Sequence, residues 1–273
     1  MLLKYFLFNI LCIHAFFNPN IKLSSGKTAT IYGNGPPVLF STGLYGTIPP
    51  FIYSNIINKL KKKLTIITIN SIQPLTPFDV IDLTDTINVD SVSFLSHSSF
   101  NPKILELDKI NNALLVDPII VPSLNFTTIF NNYGFNYFNS NNNNNNNNNN
   151  IKIDYPMIII KSEKLYKSKL DLPSWQELNV NGDLENIIYD DVGHPDILDD
   201  TWAELAKNTN FWGTATGKTM KFKEWKYNNL NTLPKIREEY RQFVTETLIN
   251  LINKYPNIKN IDNKLNINEL PIN

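Results

Sequence analysis

Six strand-length stretches of this chain are apolar nearly throughout, and they constrain the fold more than any other feature. They fall at residues 38–41, 65–69, 92–95, 113–116, 157–160 and 186–189. A strand covered on one face alternates apolar with polar residues. An unbroken apolar run suits a strand buried on both faces. Helical patterns separate several of these runs. Residues 51–64 place Phe51, Ile52, Ile56, Ile57, Leu60 and Leu64 at helical spacing. Lys61, Lys62 and Lys63 then fall in the last turn, where cations suit the helix dipole. Residues 79–87 suggest a shorter helix, and 235–255 a long amphipathic one between Pro234 and Pro256. The alternation predicts a mostly parallel sheet with helices on both faces, a three-layer α/β domain over residues 21–273.

Composition narrows the function classes. Apolar residues make up 42% of the 273, enough for such a core. Lys plus Arg and Asp plus Glu balance at 25 each, so there is no basic excess of the kind a nucleic-acid binder shows. The single cysteine, Cys12, excludes an intrachain disulfide and a cysteine-built zinc site. Only His14, His97 and His194 can supply a histidine base. Ten consecutive asparagines at 141–150 cannot bury apolar area, so residues 139–150 are expected to be a disordered insertion. Residues 1–20 carry an apolar run with one early cation, Lys4, shorter than the ~20 residues a membrane span needs. They read as a secretory signal or a membrane anchor, with secreted or endomembrane placement. The other reading is a segment packing on a cytoplasmic domain. The sequon at Asn125 is compatible with secretion.

In a parallel sheet, reactive groups gather beyond the carboxyl ends of the strands. Those ends carry Thr42-Gly43-Leu44-Tyr45, Ser96-His97-Ser98-Ser99, Asp117-Pro118, Ser162-Glu163, and Asp190-Asp191-Val192-Gly193-His194. The order serine, acid, histidine along the chain is that of an α/β-hydrolase. The turn Ser96-His97-Ser98 is similar to that superfamily's Gly-His-Ser. Residues 193–200, Gly-His-Pro-Asp-Ile-Leu-Asp-Asp, resemble the Gly-His-x-Asp-x-Leu-Asp-Asp segment of chlorophyllases. Leu115-Val116-Asp117-Pro118 resembles their Val-Asp-Pro strand end. The resemblance covers roughly residues 38–255. It implies an α/β-hydrolase fold and a chlorophyllase-like serine esterase acting on a small apolar ester without a cofactor.

The residues leave alternatives open. A nucleophile elbow wants small residues two before and two after its serine. Ser98 has Ser96 before it but Phe100 after; Ser96 has Ser98 after it but Phe94 before. Ser98 is preferred because it follows His97. In a competing reading, Ser98 or Ser99 merely caps a following helix. His194 is the candidate base, while His97 is expected to point to the opposite side of its strand. Asp117 matches the acid that the resemblance implies; Glu163 stands just after the next-to-last strand, where most α/β-hydrolases place theirs. The oxyanion hole would use the backbone amides of Ser99 and of Leu44 or Tyr45.

Other chemistries fit less well. Asp190, Asp191, Asp196, Asp199 and Asp200 around His194 suggest a cation site, but the last three are also spaced as a helix start. Gly213 to Thr219 is one residue short of a phosphate-binding loop, and Gly26-Lys27-Thr28 lacks its first glycine. The aromatic-rich stretch 122–138 suits a lid or a packed loop. A second function class remains: a catalytically decayed, hydrolase-like binding protein, with Phe100 filling the space above Ser98.

Overall fold

The computed structural model describes residues 20–71, 73–119, 151–163, 178–180, 182–208 and 232–256. The N-terminal apolar run, the asparagine tract, the aromatic stretch and the Gly213 loop lie outside them. Among the described residues there are ten strands: β1 (Asn20–Lys22), β2 (Thr28–Tyr32), β3 (Pro37–Ser41), β4 (Thr65–Asn70), β5 (Val92–Ser99), β6 (Ile110–Ile119), β7 (Ile151–Ile153), β8 (Met157–Ser162), β9 (Leu178–Val180) and β10 (Leu184–Tyr189). Among the same residues are the α-helices α1 (Gly43–Gly46), α2 (Ser54–Leu60), α3 (Pro77–Thr86), α4 (Asp200–Asn208) and α5 (Pro234–Lys254).

Eight strands form one sheet in the order β1-β2-β4-β3-β5-β6-β8-β10, with β7 and β9 pairing separately. All neighbours from β4 to β10 are parallel, while β2 runs antiparallel to both β1 and β4. The alternation of side chains divides the core into two layers. Leu39, Ile67, Phe94, Leu115 and Ile159 face Val80 and Leu83 of α3. Val38, Phe40, Ile66, Leu95, Leu114, Val116 and Ile160 face α2 and the Tyr240, Val244 and Leu248 stripe of α5. Each such aliphatic, fully buried, contributes about 1.5–3 kcal/mol. This is the expected three-layer arrangement, an α/β-hydrolase fold.

Four local expectations change. The helix expected over 51–64 is two pieces: a 3-10 turn at Pro50–Tyr53, opened by consecutive prolines, and then α2, which stops at Leu60. Its end is pressed by the β2–β3 loop; a Cβ added at Gly35 would lie 2.2 Å from the Lys63 carbonyl oxygen. Helix α3 starts two residues early because Thr76 and Asp79 form a capping box, worth about 1 kcal/mol. The stretch 186–189 is not a doubly buried strand. It belongs to β10, which ends the sheet and leaves Ile188 exposed.

The fourth change matters most: no α-helix follows Ser98. Ser99 ends β5 and Ile110 opens β6, leaving ten residues, 100–109, that hold only a 3-10 turn at Pro102–Glu106. Pro102 explains this. It forces Asn101 into extended backbone (φ −81°, ψ 110°), so no helix can run through from the serines. The helix-cap reading of Ser98 and Ser99 therefore falls. Lys27 has a structural job too, pairing with buried Asp79 at 2.7 Å.

Candidate active site

The carboxyl ends of β5, β6 and β10 converge. Ser98 Oγ lies 3.0 Å from His194 Nε2, and His194 Nδ1 lies 3.5 Å from Asp117 Oδ2. A carboxylate can only accept, so the arrangement suits a proton on Nδ1 and leaves Nε2 to accept from the Ser98 hydroxyl. The 3.5 Å separation is longer than a formed N–H···O bond; such contacts often tighten only when substrate binds. Asp117 Oδ1 is fixed separately, accepting from the Ser162 amide at 2.6 Å. All three side chains are buried.

Two of these residues hold unusual backbone. Ser98 has φ +63° and Asp117 φ +43°. Left-handed conformations at non-glycine residues cost of order 1–3 kcal/mol and cluster at functional sites. At Ser98 the turn coincides with a register irregularity between His97 and Ser99 against β6. Ser96, by contrast, stays in the ladder between Ser41 and Leu115. Phe100 does not cover Ser98. It packs into the core against Phe94, ring centroids 5.8 Å apart.

The remaining sequence candidates are placed as follows. Glu163 accepts from the Asp191 amide at 3.0 Å. Leu44 and Tyr45 lie in α1, the short helix directly after β3. Ser99 remains in β5, opposite Ile119, and does not open a helix.

The segment after β10 explains why its spacing is so specific. Asp196 Oδ2 accepts from the Gly193 amide (2.7 Å) and the Thr232 hydroxyl (2.6 Å), and Oδ1 from Arg237 Nε (3.0 Å). The Leu198 carbonyl accepts from Arg241 Nη1 at 2.6 Å. Asp199 Oδ1 accepts from the Asn55 amide and Oδ2 pairs with the Ser54 hydroxyl, so its side chain serves α2, while its carbonyl accepts from the Ala203 amide at the expected helix start, that of α4. Asp200 meets both arginines. These acids are committed to holding His194 in place, which answers the cation-site reading of Asp196, Asp199 and Asp200. Sequence reasoning missed Arg237, Arg241, Thr232 and Ser162. A signal existed for the arginines: both fall on the buried stripe of α5, with Tyr240 and Val244, and buried cations demand anions.

His97 departs from expectation. Its ring stacks on His194, centroids 4.6 Å apart and 28° from parallel. Burial first, and the neighbouring His194 second, push its pKa well below the usual histidine value. One ligand atom from each of His97, Asp117 and His194 lies within 4.8 Å of the others. Imidazole lone pairs lie in the ring plane, and near-parallel stacked rings cannot aim both at one ion. Both His97 nitrogens are in any case engaged, with Tyr53 and with the His194 carbonyl.

No protein-family model and no curated protein matches the chain. Solved structures do. An epoxide hydrolase, CorEH, superposes with TM-score 0.52 at 13% identity, covering 87% of this chain and 98% of that one. A Vigna radiata epoxide hydrolase variant (TM-score 0.47, 12%, covering 87% and 98%) and an enol-lactonase from Burkholderia xenovorans LB400 (0.44, 14%, covering 64% and 92%) are more distant and carry no weight. At such identity the likeness is one of fold: a three-layer α/β-hydrolase fold, in agreement with the strand order.

Proposed function

We propose that this chain is a serine hydrolase that cleaves a carboxylic ester through an acyl-enzyme. Ser98 Oγ attacks the ester carbonyl while His194 Nε2 takes its proton. His194 then gives that proton to the leaving alkoxide. Asp117 orients the imidazole and stabilises the imidazolium; Glu163, committed to the Asp191 amide, is the weaker candidate. The amides of Leu44 or Tyr45 and of Ser99 are assigned to the oxyanion. Water, activated by the same histidine, releases the acid. No cofactor is needed. The chlorophyllase-like segment around His194 supports an apolar ester as substrate. The observation that carries the reading is the 3.0 Å Ser98–His194 contact made by a serine at φ +63°, with Asp117 behind the ring.

A second reading has one observation in its favour. The serine is followed by a 3-10 turn and not by an α-helix whose N-terminus would face the nucleophile, so a non-catalytic module of the same fold is the alternative. Labelling of the folded protein with a fluorophosphonate decides. Labelling lost in Ser98→Ala and His194→Ala but kept in Ser96→Ala is expected, with ester turnover falling at least ~1000-fold. A folded wild type that takes no label would establish the non-catalytic module.

A further inference from the structure

We infer that His97 is a positioning residue for the proposed base: its Nε2–H holds the backbone carbonyl of His194, and its Nδ1, through the Tyr53 hydroxyl, ties that carbonyl to the amide of Gly43. The inference rests on reading His194 as the base.

The proton positions follow from the contacts. His97 Nε2 lies 3.1 Å from the His194 carbonyl oxygen, which can only accept, so Nε2 carries the hydrogen. Tyr53 OH lies 2.8 Å from His97 Nδ1 and accepts from the Gly43 amide at 3.0 Å. With Nε2 protonated, the neutral ring has Nδ1 free as an acceptor, and the Tyr53 hydroxyl donates to it. Every group is thus used once: Gly43 N–H to Tyr53, Tyr53 O–H to His97, His97 N–H to His194. A protonated His97 would carry a second hydrogen on Nδ1, facing the hydroxyl that now donates to it. The titratable groups around His97 are Tyr53, kept neutral by burial, and His194 and Asp117 across the site.

The chain joins two parts that a serine hydrolase must keep in register. Gly43 precedes the amides assigned to the oxyanion, and His194 carries the base. Space enforces the link: a Cβ at Gly43 would lie 2.9 Å from Ile48 Cδ1 and 3.0 Å from the Tyr53 oxygen. The stacked ring adds a second restraint, since His194 cannot tilt toward His97 without collision.

The test compares the full chain with His97→Phe, which keeps an aromatic ring but no polar atom, and His97→Gln, whose amide nitrogen can replace Nε2–H. Fluorophosphonate labelling rates and nitrogen-15 imidazole spectra are recorded for each. The expected result is labelling slowed at least ~10-fold in His97→Phe, with part of the loss recovered in His97→Gln. His97 should show a single Nε2–H tautomer, and His194 should lose its single tautomer in His97→Phe. Labelling and a His194 spectrum that are both unchanged in His97→Phe overturn the inference. A wild type that takes no label removes the hydrolase reading, and the His194 spectrum alone then decides for or against the link. If His97→Phe does not fold, Tyr53→Phe replaces it. A His194 spectrum altered there supports the link, and an unchanged one overturns it.

Discussion

The two ends of the proposed site are built on opposite principles. The histidine end is over-determined: residues 193–200 are gripped by Arg237, Arg241, Thr232 and the start of α2 through buried polar bonds. The serine end has no such ion-paired grip among the described residues; its buried polar bonds are the neutral ones of His97. Ser98 sits in a strained turn held by its strand ladder and by Phe100 anchored in the core. His194 is positioned by satisfying charge, Ser98 by constraining backbone. The two ends should therefore fail in different ways.

The largest effect is expected at the histidine end. Arg237→Ala leaves Asp196 buried at the centre of a broken network, and about 3–5 kcal/mol of stability should be lost. Chemical denaturation measures it. A loss below ~1 kcal/mol would mean that the segment is held by packing, and the contrast would disappear.

The next effect is a slope. His97 is neutral in the fold, with a pKa depressed below its unfolded value of about 6.5. Above that pH both states are neutral and the contribution is intact. As pH falls below it, the unfolded chain takes a proton that the fold refuses, and stability drops by about 1.4 kcal/mol per unit. Denaturation curves from pH 8 to 5 should be flatter by that slope in His97→Gln than in wild type. Equal slopes would show that His97 titrates normally in the fold.

The smallest effect has the opposite sign and tests the serine end. Ser98→Gly and Ser98→Ala both delete the hydroxyl, so their difference isolates backbone strain. Glycine, free at φ +63°, should be more stable than alanine by about 1 kcal/mol, the reverse of the usual order in regular structure. Alanine as the more stable variant would show that the turn is unstrained.

The same division separates what the sequence made legible from what it hid. In the histidine segment only the spacing was legible: the structure gives partners to Asp196, Asp199 and Asp200, each at a fixed offset from His194. The central strands were readable because double burial demands unbroken apolar runs. The antiparallel β1 and β2 were missed because three- and five-residue strands near an edge leave no such run. The absent helix after Ser98 was missed although Asn101-Pro102 announced it, because serines before an apolar stretch imitate a helix start. His97 was assigned to the wrong side because strand alternation was carried through Ser98, where the backbone leaves the pleat. The links from Ser162 to Asp117 and from Tyr53 to His97 span distances along the chain that no local pattern encodes.

The ten-residue passage between β5 and β6 also bears on how the molecule assembles. Parallel strands are slow to pair because a long connection must be closed before any ladder bond is gained. The cost rises by about 0.6 kcal/mol for each doubling of the loop. Here Val92 meets Ile110 across a connection shorter than the dozen or more residues that parallel strands usually need. Of the parallel pairs in the sheet, this one is therefore the cheapest to close, and it delivers Ser98 and Asp117 together. The short connection makes the strands bearing Ser98 and Asp117 a natural place for folding to begin.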